Sequence, residues 1–262
     1  MKTIGWLSPR LEEPDDRFKA AKRASLQIAN SKVSKAIISS AFCIPATKVI
    51  ISGSPRIDLL TRKNYHEQTE QFVNHLIMSS TSGKHPYCVW APTYRPSYLP
   101  SVWAFLSDQE WEKLDKAVES LGMRLIVKPH YFDVHSLSRI LRHRKNILLL
   151  TDDELNKQGL DFYDILKGSE LLITDYSSVY IDYLVTTKPI IFFVPDLEDY
   201  LEKNTVCLEP FEEWTPGPKV KTVEEMSSNS FKALKGIAMG YQKKNRLVSA
   251  GIFCCRSFSR IP

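Results

Sequence analysis

The sequence predicts an α/β fold built around a parallel sheet. From residue 87 onward, short runs of apolar and β-branched residues alternate with segments of helical spacing. Most of these runs are apolar along their whole length, which is typical of strands that are covered on both faces. Strands that alternate with helices in this way indicate βαβ units, and therefore a Rossmann-like parallel sheet.

The regular part of the chain, residues 83–235, is predicted to be one domain. Its expected strands are residues 87–91, 124–128, 146–150, 171–174 and 189–194. Its expected helices are residues 108–121, 134–143, 162–167 and 177–185. Asp108 is the expected N-cap of the first of these helices, and Gly122 the residue that ends it.

The first 82 residues are less regular and are predicted to be a separate unit followed by a linker. We expect surface helices within residues 14–39, a buried strand at 48–53, a polar helix at 65–78 and a linker at 79–86. The last segment, residues 236–262, is an atypical tail with no recognisable pattern.

Composition places the chain among globular proteins, since 43% of its residues are hydrophobic and 25% are charged. Its five cysteines include no Cys-x-x-Cys pair, so neither a zinc site nor a disulfide framework is expected and a reducing cytoplasm is the simpler context. No apolar run is long enough to span a bilayer, so we expect any membrane association to be peripheral. The absence of GxGxxG, Walker, HExxH and GxSxG motifs argues against ordinary dehydrogenases, kinases, zinc proteases and α/β-hydrolases. We expect no metal and no cofactor.

Three loops that follow predicted strands contain residues suited to binding an anion. Arg95 follows the first strand, Lys128 and His130 follow the second, and Ser177 and Ser178 open a helix after the fourth. The carboxyl ends of parallel strands share one edge of the sheet, so these loops are expected to converge. A helix start favours phosphate, arginine binds it through two parallel bonds, and lysine acts as a point charge. The pattern predicts a phosphorylated or nucleotide ligand, with His130 as the candidate catalytic residue.

Each of these residues also has a plainer interpretation. Ser177 or Ser178 alone suits the N-cap of a helix, and Asp175 suits a cap or an organiser of the loop. A single histidine after a strand, such as His130, is more often structural than catalytic. The convergence of three loops on one edge is what favours a binding site.

Several sequence motifs occur in a fixed order along the chain. They are GSPRIDLL at residues 53–60, APTYR at 91–95, KPH at 128–130, LITDYSSVYIDY at 172–183, KPIIFF at 188–193, DLEDY at 196–200 and PGP at 216–218. This series resembles the CDP-glycerol glycerophosphotransferases of wall teichoic acid synthesis. The resemblance covers roughly residues 1–225, and the ITDYSS stretch followed by KPIIFF is its most specific part.

The resemblance implies a GT-B-type architecture, in which two Rossmann-like domains face each other across a cleft and the second holds the nucleotide donor. It implies transfer of glycerol phosphate from CDP-glycerol to a hydroxyl of a lipid-linked acceptor at an anionic membrane surface, with release of CMP and no role for nucleic acid. His130 matches a family histidine that contacts the donor phosphates. Asp175, Ser177 and Ser178 match the donor-binding turn. Arg95 and Lys128 are added as substrate-binding residues on charge and placement.

The first part of the chain departs from the family pattern. Family members have a Trp-His-Gly-Thr-Pro motif whose histidine is the expected general base, and this sequence has no His-Gly pair. Residues 1–82 are therefore interpreted as the remnant of a truncated acceptor-side domain, with Val49, Ile50 and Ile51 exposed where strands are missing. Three alternatives stay open: a ribitol-phosphate transferase that uses CDP-ribitol, an inactive nucleotide-binding fragment, and a nucleotide-sugar glycosyltransferase.

Overall fold

The structure is a computed structural model that describes residues 23–62, 67–77, 86–95, 99–203 and 210–234. The predicted tail at 236–262, most of the predicted linker and the first part of the helical segment predicted at 14–39 lie outside the described residues. Within those ranges, no helix combines the length and the apolar character needed to cross a bilayer.

A small βαβ unit precedes the main sheet. Strands β1 (Gln27–Ala29) and β2 (Val49–Ile51) pair in parallel, and helix α1 (Lys32–Ala41) lies between them in the chain. The prediction of helix across residues 14–39 is therefore wrong at β1. A strand of three residues is too short for its alternation to show in the sequence.

The small unit has a core of its own, formed by Ala29, Ile44 and Val49. Val49 is fully buried, whereas Ile50 and Ile51 are 42% and 38% exposed. The expected exposure of apolar strand residues is confirmed for Ile50 and Ile51. It is wrong for Val49, because this side chain packs inside the small core.

The main unit is a six-stranded sheet in which every pairing is parallel. Its strands are β3 (Tyr87–Trp90), β4 (Arg124–Val127), β5 (Ile147–Leu149), β6 (Leu171–Thr174), β7 (Ile190–Phe193) and β8 (Lys219–Val220). Their order across the sheet is β5-β4-β3-β6-β7-β8. This confirms the predicted α/β fold with a parallel sheet and adds β8 to the five predicted strands.

The strand order creates a switch point between β3 and β6. The chain adds β4 and β5 on one side of β3, and it then returns to add β6, β7 and β8 on the other side. The loops after β3 and β6 therefore leave the sheet on opposite sides of a crevice. Open parallel sheets bind their ligands at such a crevice.

Both faces of the sheet are buried, which explains the apolar runs in the sequence. One face packs Val89, Ile126 and Leu172 into a single cluster. On the other face, Trp90 packs against Trp103, with ring centroids 5.0 Å apart in an edge-to-face arrangement. Two apolar layers therefore hold the strands in place, and the polar residues that could bind a ligand lie in the loops at the strand ends.

In the part of the chain that the structure describes, ten further α-helices accompany the main sheet. They are α2 (Pro55–Thr61), α3 (Glu67–Leu76), α4 (Asp108–Ser120), α5 (Val134–Leu141), α6 (Asp152–Gln158), α7 (Phe162–Gly168), α8 (Val179–Tyr183), α9 (Leu197–Lys203), α10 (Phe211–Trp214) and α11 (Val223–Leu234). The N-cap of α4 is Ser107, which forms a capping box with Glu110. The prediction of Asp108 as the cap is wrong by one residue, because Asp108 is the first residue of the helix.

Helices α2 and α3 pack onto the main sheet rather than onto the small unit. Leu60 of α2, Val73 of α3 and Ile77 lie in the same buried cluster as Val89 of β3. These residues were predicted to belong to the first unit. Their packing shows that the hydrophobic core of the main unit begins well before residue 83.

A buried carboxylate connects α2 to α8. Asp182 of α8 accepts a hydrogen bond of 2.6 Å from the Tyr163 hydroxyl, and its Oδ2 lies 3.3 Å from Nη2 of Arg56 in α2. Gly53, two residues before α2, has a φ of 80°, which residues other than glycine rarely adopt. We infer that the two units divide near Gly53 rather than at the predicted boundary between residues 82 and 83.

Replacing Leu60 by alanine tests this division. Leu60→Ala should lower the free energy of unfolding of the main unit by about 2–5 kcal/mol, because it leaves a cavity in that unit's core. Urea denaturation followed by tryptophan fluorescence reports on this unit, since Trp90, Trp103 and Trp111 all lie in its core. The matched control is Ile44→Ala, which alters the core of the small unit and should leave the transition in place. An unchanged transition in Leu60→Ala would contradict the division near Gly53.

Candidate functional site

The candidate site lies at the carboxyl edge of the main sheet, around the switch point. Residues 91–95 leave β3, residues 128–130 leave β4, and residues 175–178 leave β6. The structure brings these three predicted loops together and adds a fourth, residues 194–196, which leaves β7.

Asp175 joins the loops on the two sides of the switch point. It is fully buried. Its Oδ1 accepts hydrogen bonds from the N–H of Thr93 at 2.6 Å and from the N–H of Ser177 at 3.2 Å. Its Oδ2 lies 3.5 Å from Nη2 of Arg95. A single carboxylate therefore fixes the backbone of the loop after β3 against the backbone of the turn after β6.

Arg95 points into the protein rather than into the crevice. Its buried guanidinium meets Asp196 through both terminal nitrogens, with Nη2 donating to Oδ1 at 3.1 Å and Nη1 donating to Oδ2. Nη1 also donates to the carbonyl oxygen of Pro100 at 3.4 Å. Binding of substrate phosphate by Arg95 therefore stays a prediction, and in this structure the guanidinium pairs with internal carboxylates instead. Two internal carboxylates already occupy the fork that a phosphate would need. We call Arg95, Asp175 and Asp196 the Asp175 network.

Two tyrosines enclose the Asp175 network. The Tyr176 hydroxyl donates to Oδ1 of Asp196 at 3.0 Å, and the Tyr176 ring stacks on Tyr200 with centroids 3.6 Å apart. The guanidinium carbon of Arg95 lies 5.6 Å from each ring centroid. Burial, the charges of Asp196 and Asp175 and the bond to Asp196 raise the pKa of Tyr176, so its hydroxyl stays protonated and remains a donor.

Burial raises the pKa of Asp175 to about 6, although the charge of Arg95 and the bonds from Thr93 and Ser177 oppose the rise. Because this pKa exceeds the ordinary value of about 4 in an unfolded chain, Asp175 binds its proton more tightly when folded. Its contribution to stability is therefore greatest below about pH 4 and is lost as the pH rises to about 6. At neutral pH the folded chain holds this carboxylate charged at the expense of stability, a pattern that is common at functional sites.

The two serines of the turn lie where the turn meets the crevice, and both are partly buried. Ser177 Oγ accepts a long bond of 3.4 Å from the Val179 N–H. Ser178 is the N-cap of α8 by backbone position, but its side chain makes no capping bond. The plainer interpretation of these serines as helix caps therefore has weak support in the geometry.

Lys128 lies at the edge, as its position after β4 predicts. Its Nζ is 2.9 Å from Oδ1 of Asp152, an exposed residue at the start of α6, and it also donates to the Pro129 carbonyl at 3.3 Å. An ion pair with an exposed partner is worth about 0–1 kcal/mol and exchanges readily. Lys128 is therefore paired with a carboxylate on the exposed side of the edge.

His130 lies in a row of aromatic rings that we call the aromatic rim, formed by Tyr94, His130, Tyr131 and Phe132. The His130 ring centroid is 4.4 Å from Tyr94, 4.4 Å from Tyr131 and 5.3 Å from Phe132. Tyr131 and Phe132 are 62% and 64% exposed. Tyr94 connects the rim to the loop after β3, so His130 is brought beside the switch point as predicted.

Two features of the site were missed at the sequence level. Asp196 was noted within the DLEDY motif without a role, although its position three residues after the end of β7 puts it at the same edge as Arg95. The exposed rings of Tyr131 and Phe132 directly follow the KPH motif and were not considered. Within the described residues no group of histidine, cysteine and acidic side chains is arranged to hold a metal ion.

Most of the sequence is similar to proteins of one known family. A family model described as CDP-Glycerol:Poly(glycerophosphate) glycerophosphotransferase matches residues 8–250. The chain is 30% identical over 187 residues to the teichoic acid ribitol-phosphate polymerase TarK of Staphylococcus aureus, which covers 71% of this chain and 34% of TarK. It is 29% identical over 211 residues to a teichoic acid poly(glycerol phosphate) polymerase of Bacillus spizizenii, which covers 80% of this chain and 50% of that protein. The chain thus spans about a third to a half of the length of these relatives.

Solved structures of the wall teichoic acid polymerase TagF have the same fold. One matches with a TM-score of 0.72 at 24% identity, over 91% of this chain and 56% of TagF. A TagF variant soaked with CDPG matches with a TM-score of 0.71 at 25% identity, over 91% of this chain and 55% of that chain. These matches confirm the predicted GT-B-type α/β fold. Since the family model spans nearly the whole sequence, this chain belongs to the CDP-glycerol:poly(glycerophosphate) glycerophosphotransferase family.

Proposed function

We propose that the carboxyl edge of the main sheet binds the nucleotide donor of a glycerol-phosphate transfer. In this reaction, glycerol phosphate moves from CDP-glycerol to a hydroxyl of a lipid-linked polyol-phosphate acceptor, and CMP is released. The observation that carries the proposal is the arrangement at the switch point, where Asp175 holds the Ser177–Ser178 turn against the loop after β3. The family match and the TagF structure soaked with CDPG support this choice of donor.

In this proposal, each residue at the crevice has its own role in binding phosphate. The hydroxyls of Ser177 and Ser178 donate to phosphate oxygens, and Lys128 moves from Asp152 to add positive charge. His130, when protonated, neutralises a donor phosphate oxygen or gives its proton to the departing CMP. Asp175 shapes the turn and does not touch the anion.

The transfer is a displacement at the β-phosphorus of the donor. The acceptor oxygen forms a bond to this phosphorus, the bond to the bridging oxygen breaks, and CMP leaves with the electron pair. The hydroxyl proton of the acceptor passes to a base. Catalysis of such a step rests mainly on positioning and on the neutralisation of phosphate charge. The carboxyl edge of the main sheet supplies these two effects.

Titration with CMP and with CDP-glycerol tests the donor site. Replacing Ser177 and Ser178 together by alanine should weaken both affinities about ten-fold or more, because two donors to the phosphate are lost. His130→Ala should weaken them by a similar factor. The matched control is Ser120→Ala with Ser227→Ala, since these hydroxyls donate to backbone carbonyls of α4 and α11. Unchanged affinity in the Ser177 and Ser178 double variant would show that the phosphate does not bind at this turn.

The sister donor CDP-ribitol is the second candidate. The similarity to TarK, a ribitol-phosphate polymerase, is as high as the similarity to the glycerol-phosphate polymerase of Bacillus spizizenii. The same titration separates the two donors. Tighter binding of CDP-glycerol than of CDP-ribitol supports the leading proposal, and the reverse order favours the second.

We further propose that the chain works in the cytoplasm and rests on the inner face of the membrane, where a lipid-linked acceptor is reached. The aromatic rim and helix α5 support this placement. Tyr131 and Phe132 are exposed, and the helix that follows them exposes His135, Arg139 and Arg142 at positions i, i+4 and i+7 of one face. Exposed aromatic rings beside basic residues suit the interface of an anionic bilayer.

Co-sedimentation with vesicles tests this membrane face. Binding to vesicles that contain anionic phospholipid should fall several-fold when Arg139 and Arg142 are both changed to serine, and it should also fall as salt is raised. The control changes Lys113 and Lys116 of α4 to serine, which removes the same charge from exposed positions elsewhere. Equal losses in the two double variants, or equal binding to neutral vesicles, would contradict a specific membrane face.

A further inference from the structure

We propose that Arg95 and Asp196 are positioning residues of the donor site, which act on the donor through Asp175 without touching it. The inference rests on the proposed donor site at the Ser177–Ser178 turn. It assigns a role to two buried residues that lie behind the surface on which the donor is expected to bind.

The contacts form a continuous path from Asp196 to the turn. Asp196 holds the guanidinium of Arg95 through both of its oxygens. Arg95 reaches Oδ2 of Asp175, whose Oδ1 accepts the N–H bonds of Thr93 and Ser177. A change at the far end of this path therefore alters the position of two backbone segments that border the crevice.

Arg95 also maintains the charge that makes these contacts strong. Burial favours the neutral form of Asp175, and the positive charge of Arg95 is the largest effect that opposes it. A charged carboxylate accepts stronger hydrogen bonds from N–H groups than a neutral acid does. Arg95 in turn needs Asp196, because without it the buried guanidinium would keep only long contacts, at 3.5 Å to the Asp175 carboxylate and at 3.4 Å to the Pro100 carbonyl. The order of the turn therefore depends on all three residues.

The sign of the local charge separates this role from direct binding. The Asp175 network contains two carboxylates and one guanidinium, so its net charge is negative when all three are ionised. Removing the charge of Asp196 would favour a nearby phosphate if electrostatic attraction alone decided the affinity. A positioning role gives the opposite result, because small displacements of binding groups cost much affinity.

Titration of Asp196→Asn with CMP tests the proposal. We expect CMP affinity to fall about ten-fold or more in Asp196→Asn, and about three-fold in Tyr176→Phe, which removes only one hydrogen bond to Asp196. The matched control is Asp108→Asn, which makes the same chemical change at an exposed carboxylate that pairs with Arg144 away from the site, and it should leave the affinity unchanged. Far-UV circular dichroism checks that each variant is folded. If Asp196→Asn does not fold, Tyr176→Phe provides the test alone.

A coupled variant distinguishes positioning from a general loss of order. The loss of CMP affinity caused by Asp196→Asn should be smaller when Ser177 and Ser178 are already alanine. The turn then has no side-chain donors left whose position could matter. A full, additive effect in that background would contradict action through the turn. Equal or tighter CMP binding by Asp196→Asn alone would overturn the proposal.

Amide hydrogen exchange separates this inference from the proposed function. Exchange at the Thr93 and Ser177 amides should be faster in Asp196→Asn than in the wild-type chain, whether or not CMP binds. If the wild-type chain fails to bind CMP while this exchange still responds, the donor site is wrong and the structural coupling is right. If exchange at both amides is unchanged, the positioning role itself is wrong.

Discussion

The main physical constraint on the carboxyl edge of the main sheet is a charged carboxylate that is buried at the switch point. Asp175 is removed from water, and a carboxylate in such a place is tolerated only with hydrogen bonds and an opposite charge. The N–H groups of Thr93 and Ser177 supply the bonds, and Arg95 supplies the charge. Because Arg95 is itself buried, it requires Asp196 in turn. The hydrogen bonds and ion pairs of these residues therefore hold together the loops after β3, β6 and β7. The two apolar layers of the sheet fix where these loops begin.

This arrangement divides the site into a buried part and an accessible part. The Asp175 network and the Tyr176–Tyr200 stack lie inside and determine the shape of the edge. Ser177, Ser178 and His130 are only partly buried and remain available to a ligand. Residues that bind a transferred phosphate must be reachable, whereas residues that position them benefit from burial.

Much of the main sheet was predictable from the sequence, because strands covered on both faces have apolar runs whose ends are easy to recognise. The convergence of the Arg95, Lys128 and Ser177 loops followed from the shared edge of parallel strands. The role of Arg95 did not follow, since an arginine at a strand end suits a phosphate and an internal carboxylate equally. The burial of Arg95 and its bond to Asp196 favour the internal carboxylate. The strand β1 was missed because three residues are too few to show a period.

The boundary between the two units could not be predicted from the sequence pattern either. A polar helix before a segment of serine, threonine, glycine and proline resembles the end of a domain, yet Leu60 and Val73 face the main core. Helix α2 thereby brings Arg56 to Asp182, four residues after Ser178. The small unit before Gly53 keeps Ile50 and Ile51 exposed. The described part of this family member therefore consists of a main unit with two added helices and a small βαβ unit.

A crystal structure of the chain soaked with CMP tests the central claim most directly. We expect the phosphate to bond to the side chain of Ser177 or Ser178, while the guanidinium of Arg95 stays between Asp175 and Asp196. The contradicting result is an Arg95 side chain that has left Asp196 and binds the phosphate itself.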